Sequence, residues 1–372
     1  MAILSLRNVR KEFGDLVAVD DASFAVEDGE FVSILGPSGS GKSTILRMIA
    51  GFETPTAGEI EIEGRNVVGV PPFERDVNMV FQSLALFPHL TVAENIAYGL
   101  KNRGVPEDQR ADRIERMLEM VRLGGYGDRD PTELSGGEQQ RVALARAVVN
   151  EPNIVLFDEP LASLDRKLRQ HMQVELQRIQ TETDITFLYV THDQEVAMSV
   201  SDRMVLLNDG AIEQVGTAEE LYRHPTSRFV ADFIGDVNTI PGVVVARQDG
   251  QAIIEMGDSR FAVDSERIVD GGRDPIDVDD VAVCVRPEGV RISEAEAGSF
   301  ALSGRIRNRI YRGDQVSYIV ETDVGTILVN TTDERFQVGE EVYATWDEDG
   351  THVFASEVAG GIQASGAGVG GA

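Results

Sequence analysis

A glycine-rich loop between an apolar strand and a helix is the feature that most constrains this chain. Residues 36–44 read Gly-Pro-Ser-Gly-Ser-Gly-Lys-Ser-Thr, and Phe31–Leu35 just before them is a nearly continuous apolar run. Glycines let a backbone wrap closely around a phosphate, so that N–H groups and the next helix N-terminus face its charge. We therefore predict a strand, a phosphate loop and a helix over 43–50, with Lys42 against the β- and γ-phosphates and Ser43 on Mg²⁺.

A second phosphate-binding element lies about ninety residues downstream. Residues 134–141 read Leu-Ser-Gly-Gly-Glu-Gln-Gln-Arg, a Ser-Gly-Gly turn that opens a helix. Backbone N–H groups at such a helix start bind anions. One chain cannot easily close two such elements on a single nucleotide, so the pair predicts a dimer with ATP bound at its interface.

Polar residues follow three further predicted strands, at the sheet edge where ligands bind in α/β proteins. Asp158 and Glu159 directly follow one apolar run, and Gln82 and His192 each follow another. Taken alone, an acidic pair after a strand is most often a solvated loop, and a lone histidine there is more often structural. Their order along one chain with the glycine loop favours a catalytic site.

The order of predicted elements divides the chain into consecutive parts. Residues 1–235 alternate apolar strands with helices, which indicates a mostly parallel α/β sheet covered on both faces. Within this part, residues 83–150 show helical patterns only, which suggests an inserted helical subdomain. Residues 236–357 are short strands with Gly and Asp turns, an all-β pattern. Small residues dominate 358–372, which we expect to be a disordered tail.

Composition limits the location and the partners of the chain. The formal net charge of −29 argues against binding to nucleic acid, which needs a basic surface. No apolar run reaches the roughly 18 residues of a membrane-spanning helix. The chain has four lysines, thirty arginines and a large excess of carboxylates. This composition resembles that of proteins from salt-loving cells; an acidic mesophilic protein is the alternative. The single cysteine, Cys284, lies in an apolar run and is expected to pack as a small hydrophobe.

Together these motifs resemble the ATP-binding subunits of ATP-binding cassette (ABC) transporters, and the resemblance covers residues 1–235 almost continuously. It implies a P-loop NTPase fold with a helical subdomain, and ATP and Mg²⁺ as cofactors. The matching motifs are the Walker A loop (36–44), the Q-loop (Gln82), the family signature (134–139), the Walker B end (Asp158, Glu159), the D-loop (Leu164, Asp165) and the switch histidine (His192).

The resemblance also implies roles for individual residues in hydrolysis. Glu159, His192 and Gln82 are the expected catalytic residues. Ser43, Gln82 and Asp158 are the expected Mg²⁺ ligands, with Asp158 acting through the water shell of the ion.

For nucleotide binding, the resemblance implies that Phe13 stacks on adenine with Val19 packed nearby. Ser135 and Gly137 would bind the γ-phosphate of ATP held by the other copy. The full expected set is Phe13, Val19, Gly36, Pro37, Ser38, Gly39, Ser40, Gly41, Lys42, Ser43, Thr44, Ser135, Gly136, Gly137, Glu138 and Asp165.

Three positions depart from the common family pattern. Glu138 stands where Gln is common, which places one more carboxylate near the phosphates. The D-loop reads Ala-Ser-Leu-Asp over 162–165, with the usual Ser-Ala order inverted, and Phe13 stands where Tyr is commoner. None removes a group that contacts phosphate or Mg²⁺, so we expect all three to be tolerated.

The C-terminal part resembles the OB-like TOBE domain found behind import ATPases, through Val-Arg-Pro-Glu at 285–288 and Tyr-Arg-Gly at 311–313. That domain implies an importer. Phe-Ile-Gly-Asp-Val-Asn at 233–238 looks closer to the polyamine, iron(III) and thiamine branch than to the sugar branch. Uptake of spermidine or putrescine is the leading expectation, with sugars, iron(III) and thiamine as alternatives.

Partners and location follow from the same resemblance. It implies a second copy of the chain, two membrane permease subunits that dock near residues 82–100 and, indirectly, an extracytoplasmic substrate-binding protein. The chain would then lie peripherally at the cytoplasmic face of the membrane. A cytosolic cassette ATPase that acts on ribosomes or DNA is a second hypothesis. A third makes the β domain a small-molecule sensor, although its acidity argues against an oxyanion ligand.

Overall fold

The structure is a computed structural model that describes residues 2–162, 164–269 and 278–356. The expected tail over 358–372 and Ser163 of the D-loop lie outside the described residues. Contacts divide the chain into a first unit up to Glu220 and a second unit from Leu221 onward. This division precedes the boundary expected after Gly235.

The first unit contains ten strands and six helices among its described residues, and a seventh helix crosses the division. The strands are β1 (Ala2–Phe13), β2 (Leu16–Glu27), β3 (Phe31–Leu35), β4 (Ala57–Ile62), β5 (Arg65–Asn66), β6 (Val77–Val80), β7 (Ile154–Asp158), β8 (Thr186–Val190), β9 (Arg203–Asn208) and β10 (Ala211–Gly216). The helices are α1 (Lys42–Ala50), α2 (Val92–Asn102), α3 (Glu107–Met120), α4 (Gly136–Val148), α5 (Arg166–Thr183), α6 (Gln194–Val200) and α7 (Ala218–Arg223), with 3₁₀ turns at Pro72–Glu74 and Pro131–Glu133.

The central sheet of this unit has the order β10-β9-β3-β8-β7-β6 and is parallel except for β10. Successive side chains of a strand point to opposite faces, and β7 shows this directly. Ile154 and Leu156 pack on the face of α1, whereas Val155 and Phe157 pack on the opposite face with α4 and α5. The predicted parallel sheet, buried on both faces, is confirmed.

A second sheet, of order β2-β1-β4-β5, is antiparallel and was not expected from the sequence. Apolar residues of β1 and β2, such as Leu6 and Val26, pack in the same core cluster as Ile45 and Ile49 of α1. Helix α1 therefore lies in one core with both sheets, which fixes the helix that follows the glycine loop.

Between β6 and β7 the described elements are three helices and one 3₁₀ turn, as predicted for the helical subdomain. Capping boxes begin two of these helices. The Oγ1 of Thr91 accepts from the N–H of Glu94 at the start of α2, and Ser135 and Glu138 form the same arrangement at α4. Such caps satisfy backbone N–H groups that a helix start leaves free. No helix among the described residues is long and apolar enough to cross a membrane.

The second unit is mostly β-structure. Its elements are α8 (Arg228–Phe233), β11 (Asn238–Gln248), β12 (Gln251–Met256), β13 (Ser259–Asp264), β14 (Ile268–Val269), β15 (Asp280–Val285), β16 (Arg291–Ser293), β17 (Phe300–Tyr311), β18 (Val316–Thr322), β19 (Gly325–Thr331), β20 (Glu341–Trp346) and β21 (Thr351–Ala355), with 3₁₀ turns at Ser265–Arg267 and Pro287–Gly289. They form a six-stranded sheet, β13-β12-β11-β15-β21-β14, and a five-stranded sheet, β16-β20-β17-β18-β19.

Helix α8 belongs with this unit because its buried face packs on β15. Ala231 clusters with Ala282, Cys284 and Phe354. The guanidinium of Arg286 donates to the carbonyl oxygen of Ala231 at 2.8 Å. The unit therefore begins before α8. Cys284 is fully buried and burial raises its pKa to about 12, in agreement with the predicted structural role.

Candidate nucleotide site

Four neighbouring parallel strands bring the predicted site residues to one edge of the sheet. In the order β3-β8-β7-β6, the glycine loop follows β3 and His192 comes shortly after β8. Asp158 ends β7, and Gln82 comes two residues after β6. The carboxyl ends of parallel strands share one edge, where α/β proteins bind ligands. Residues far apart in the sequence therefore meet at a single site.

Two glycines of the loop cannot be replaced without moving the backbone. A Cβ at Gly41, where φ is +99°, would lie 2.4 Å from the carbonyl oxygen of Ala18. A Cβ at Gly36 would lie 2.2 Å from the carbonyl oxygen of Leu207. Both distances are too short for a real contact, so the tight loop depends on glycine there.

The ammonium group of Lys42 folds back over its own loop. It donates to the carbonyl oxygens of Gly36 at 2.9 Å and Pro37 at 2.7 Å. Burial lowers the pKa of Lys42, while the negative charges of Glu159 and Asp158 oppose that shift. The lysine thus lies beside the loop and within the field of both carboxylates, where a polyphosphate would meet its charge.

Ser43 and Ser40 supply hydroxyl groups that could bind a metal ion and a phosphate, respectively. The Oγ of Ser43 donates to Oδ1 of Asp158 at 2.8 Å, which places a hydroxyl beside a carboxylate, both of them oxygen ligands that Mg²⁺ prefers. Ser40 is buried, and its Oγ has no hydrogen-bond partner among the described residues. Such a group costs on the order of 1–3 kcal/mol, and a phosphate oxygen would satisfy it. The residues present therefore fit a Mg²⁺–nucleotide.

Glu159 and His192 form a polar pair at the same edge. Nδ1 of His192 lies 3.1 Å from Oε1 of Glu159. The backbone of Glu159 has a φ of 47°, a conformation that non-glycine residues rarely adopt, and its N–H donates to the carbonyl oxygen of Val190 at 3.0 Å. The turn after β7 is thus held against β8, which keeps the two side chains together.

The Q-loop is held by an arginine on α4. Gln82 itself is exposed, and Leu84 and Ala85 after it have φ values of 59° and 48°. Arg146 donates to the carbonyl oxygens of Leu84 at 2.8 Å and Ala85 at 2.7 Å. The Arg146 guanidinium also lies 5.4 Å from the ring centroid of Phe87. These contacts fix the unusual backbone that follows Gln82.

Hydrogen bonds between residues of the signature segment stabilise the start of α4. Oε2 of Glu138 accepts from the N–H of Ser135 at 2.8 Å and from its Oγ at 2.7 Å. These hydrogen bonds lower the pKa of Glu138, the side-chain bond more than the backbone one. The carboxylate that departs from the family pattern is therefore a capping group. A Cβ at Gly136 would meet only Leu164 at 3.9 Å, so one side of this turn is open.

Asp165 of the D-loop caps helix α5, where its Oδ1 accepts from the N–H of Leu168 at 3.0 Å. Arg169, one turn further, forms an ion pair of 2.6 Å with Asp193 and donates to the carbonyl oxygen of Leu164 at 3.0 Å. Asp193 directly follows His192. Arg169 therefore joins the D-loop to the segment that carries the switch histidine.

The two expected adenine contacts, both on the β1–β2 hairpin, differ in exposure. Phe13 is 46% exposed, and the ammonium of Lys11 lies 4.6 Å from its ring centroid. Val19 is fully buried, and a Cβ at Gly41 would come within 3.1 Å of its Cγ2. The structure thus places Val19 against the glycine loop and leaves the ring of Phe13 accessible for stacking.

Comparison with known proteins agrees with this geometry. Residues 19–162 match the ABC transporter family and residues 283–354 match the TOBE domain. A protein of Rubrobacter xylanophilus, named spermidine/putrescine import ATP-binding protein PotA, is 47% identical over 348 residues, covering 92% of this chain and 91% of that protein. The chain belongs to the ATP-binding subunits of ABC transporters. The P-loop NTPase fold with a TOBE domain, and the activity of an ATPase coupled to transport, are confirmed.

A second curated relative of this ABC ATPase matches over nearly the whole length, and two solved structures match over more than half of the chain. A PotA protein of Pseudomonas aeruginosa is 44% identical over 361 residues, covering 94% of this chain and 98% of that protein. Among solved structures, an ATP-binding cassette dimer in a post-hydrolysis state with ADP and Pi is 35% identical, with a TM-score of 0.52, covering 57% of this chain and 98% of that one. CbiO1 of Clostridium perfringens, part of an ABC transporter complex, is 26% identical with a TM-score of 0.57, covering 60% and 91%.

Three residues that support the site of this ABC ATPase were missed in the sequence. Arg146 holds the Q-loop, Arg169 joins the D-loop to Asp193, and the amide of Gln140 donates to the carbonyl oxygen of Pro160. Their acceptors are mostly backbone carbonyls, which carry no residue type that a sequence pattern could identify. The only available signal was the position of Arg146 and Gln140 on the signature helix.

Proposed function

We propose that this ABC ATPase energises uptake of the polyamines spermidine or putrescine through partner permease subunits. The observation that carries the proposal is the match, over 92% of the chain, to a relative named as a spermidine/putrescine import protein. Importers of sugars, iron(III) or thiamine are the alternatives within transport. The cytosolic ABC ATPase considered from the sequence is not supported, because the curated relatives are named as import proteins.

The glycine loop would bind the phosphates of ATP through backbone N–H groups, the N-terminus of α1 and the unsatisfied hydroxyl of Ser40. Lys42 would move its ammonium from the carbonyl oxygens of Gly36 and Pro37 to the β- and γ-phosphates. Pro37, Ser38, Gly39 and Thr44 complete the loop around them. Phe13 would stack on adenine above Val19.

Ser43 and Asp158 would hold Mg²⁺, with Gln82 as a further oxygen donor. When bound, the ion neutralises charge on the β- and γ-phosphates. Glu159 would orient the attacking water and accept its proton, because its carboxylate lies beside the loop lysine and beside His192. Since Nδ1 of His192 contacts Glu159, Nε2 would be the ring nitrogen that reaches the γ-phosphate.

The signature segment would act on ATP held by a second copy of the chain. In the described structure the Oγ of Ser135 donates to Glu138, within its own helix start. Ser135, Gly136, Gly137 and Glu138 would then face the γ-phosphate across the dimer interface. Asp165, in the D-loop, would lie at the same interface. This arrangement needs two copies for each complete site.

The partners in this proposal are two membrane permease subunits and, indirectly, an extracytoplasmic substrate-binding protein. The permeases would dock near residues 82–100, where Arg146 holds the Q-loop. The chain would thereby lie at the cytoplasmic face of the membrane. Docking at this loop would carry a permease movement directly to Gln82.

Reconstitution of the intact complex in proteoliposomes tests the proposed substrate. Spermidine or putrescine with the native substrate-binding protein should stimulate ATP hydrolysis and accumulate inside the vesicles. Maltose, iron(III) and thiamine serve as matched additions. Stimulation by one of these and not by polyamines would reassign the cargo.

A further inference from the structure

A buried glutamine on the signature helix contacts the turn that carries the expected catalytic base. Gln140 of α4 is 4% exposed, and its side-chain amide donates to the carbonyl oxygen of Pro160. Pro160 directly follows Glu159 in the chain. The hydrogen bond therefore joins the helix that begins at the signature to the backbone beside Glu159.

The turn after β7 needs such support, because the backbone of Glu159 lies in the left-handed region with a φ of 47°. The N–H of Glu159 donates to the carbonyl oxygen of Val190 at 3.0 Å, and its carbonyl oxygen accepts from the N–H of Ala162 at 3.3 Å. Pro160 has no N–H. Its carbonyl oxygen is therefore the backbone group through which the next position of the turn can be held, and Gln140 binds it.

Packing alone does not explain an amide at this position. The Oε1 of Gln140 is buried and has no hydrogen-bond partner among the described residues. Gln140 also lines a cavity of about 10 Å³ whose other lining side chains are apolar, among them Leu144, Phe157 and Met172. An unpaired buried polar atom destabilises a fold, whereas an apolar side chain of similar length does not. The bond to Pro160 thus accounts for the glutamine better than packing does.

Helix α4 fixes the distance between this contact and the signature. The helix runs over Gly136–Val148, and Ser135 is its N-cap. Gln140 therefore lies about 7 Å along the helix axis from Ser135. The buried face of α4 packs in one core cluster with Val155 and Phe157 of β7. Gln140 thus holds the turn of Glu159 at a defined place relative to the signature.

We infer that Gln140 is a positioning residue that acts from the signature helix on the base Glu159. Its amide holds the carbonyl oxygen of Pro160, and so keeps the Glu159 carboxylate where it can accept a proton from the attacking water. A general base must lie within about 2.6–3.2 Å of the group that it deprotonates, so a small displacement of the turn slows the chemical step. The inference rests on the proposed role of Glu159 as base.

The test is a double-mutant cycle of Gln140→Met and Glu159→Gln in the full chain. Methionine keeps the length of glutamine and packs against apolar groups, but it cannot donate a hydrogen bond. Gln140→Leu is a second variant of different shape that also lacks the donor. Gln180→Met is the matched control, because the amide of Gln180 donates to the carbonyl oxygen of Gly29, before the amino end of β3 and away from the site.

Three measurements are made on each variant. Single-turnover hydrolysis of radiolabelled ATP gives the rate, calorimetric titration gives the ATP affinity, and hydrogen exchange without nucleotide reports the turn over residues 159–162. Gln140→Met and Gln140→Leu should slow hydrolysis by about tenfold or more at unchanged ATP affinity, and should exchange faster over the turn. Added to Glu159→Gln, neither should slow hydrolysis further, because both changes act through one carboxylate. Gln180→Met should match wild type.

An unchanged rate in both Gln140 variants, with Glu159→Gln inactive, would overturn the inference and leave the base in place. An equal loss of rate with Glu159 and with Gln at that position would overturn it as well, because Gln140 would then act on another group. A loss of ATP affinity in both Gln140 variants would show a general structural defect in place of positioning. Normal hydrolysis by Glu159→Gln would instead refute the base itself, and the inference with it.

Discussion

The Oγ of Ser43 donates a 2.8 Å hydrogen bond to Oδ1 of Asp158, although 115 residues separate them in the chain. The bond joins the helix start of the glycine loop to the end of β7. It therefore marks where a metal ion bound to ATP would meet protein oxygens. The hydroxyl of Ser43 and the carboxylate of Asp158 thus lie within hydrogen-bonding distance of each other.

Asp158→Asn should remove most of the dependence of ATP affinity on Mg²⁺. Wild type should bind Mg²⁺–ATP more tightly than ATP in EDTA, because the ion links the phosphates to Asp158. Calorimetric titration in both buffers measures the difference. Asp76→Asn, which breaks a surface pair with Arg103, is the charge-matched control. An undiminished Mg²⁺ effect in Asp158→Asn would contradict the assigned role.

Glu159→Gln should bind ATP normally yet hydrolyse it on the order of 10²–10⁴-fold more slowly, the usual cost of losing a general base. Because ATP then persists, the dimer should accumulate and be seen by size-exclusion chromatography with light scattering. Glu138→Gln, also at a carboxylate of the expected site, should keep the helix cap and turn over ATP. Normal hydrolysis by Glu159→Gln would rule out its role as base.

Arg146→Gln should loosen the Q-loop, because Gln cannot span the carbonyl oxygens of Leu84 and Ala85. We expect faster hydrogen exchange over residues 82–90 and a fall of about tenfold in kcat, with little change in ATP affinity. Arg103→Gln, in the neighbouring helical segment, provides the control. A loss of ATP affinity with no change in exchange would show that Arg146 does not act through the loop.

The stability of the second unit should decrease at acidic pH because of His352. Its pKa drops from an ordinary 6.5 to about 4 through burial and the charges of Arg286, His224 and Arg267, and Asp349 is the carboxylate that lines the same cavity as His352. Between these values the unfolded chain takes up a proton that the folded chain does not, so stability present above pH 6.5 is lost as pH falls toward 4.

Thermal unfolding followed by calorimetry at pH 7.5 and pH 5 checks this expectation. His352→Gln should lose less Tm between the two pH values than wild type does. His171→Gln, on α5 of the first unit, is the control and should show the same decrease in Tm between pH 7.5 and pH 5 as wild type. An equal decrease in Tm in wild type and His352→Gln would show that His352 does not cause the loss of stability at acidic pH.

The sequence was a good guide where a motif is local. The strand Phe31–Leu35 before the glycine loop, and the helix that begins at the Ser-Gly-Gly turn, appear where they were predicted because each depends on a few adjacent residues. The sheet formed by β2, β1, β4 and β5 was not predicted, since β1 and β2 are interrupted by register shifts that break the alternating pattern.

Long-range support could not be read in the same way. Arg146 and Arg169 act on backbone carbonyls that only the folded chain brings near them. The division before Leu221 depends on Ala231 packing against β15, a contact across about fifty residues that the Gly-Asp pair at 235–236 did not reveal. The positive charge around His352 was likewise hidden by the acidic average composition of the second unit.

The central claim is that each ATP lies between the glycine loop of one copy and the signature of another. Lys42→Ala removes the lysine of the glycine loop. Gly136→Asp blocks the signature with a side chain that fits without clash, since a Cβ there meets only Leu164 at 3.9 Å. Each variant alone should be inactive. Mixed in equal amounts, they form heterodimers in which one site pairs an intact Lys42 with an intact Gly136. Activity should therefore return to on the order of a quarter of the wild-type rate, whereas an inactive mixture would contradict the shared site.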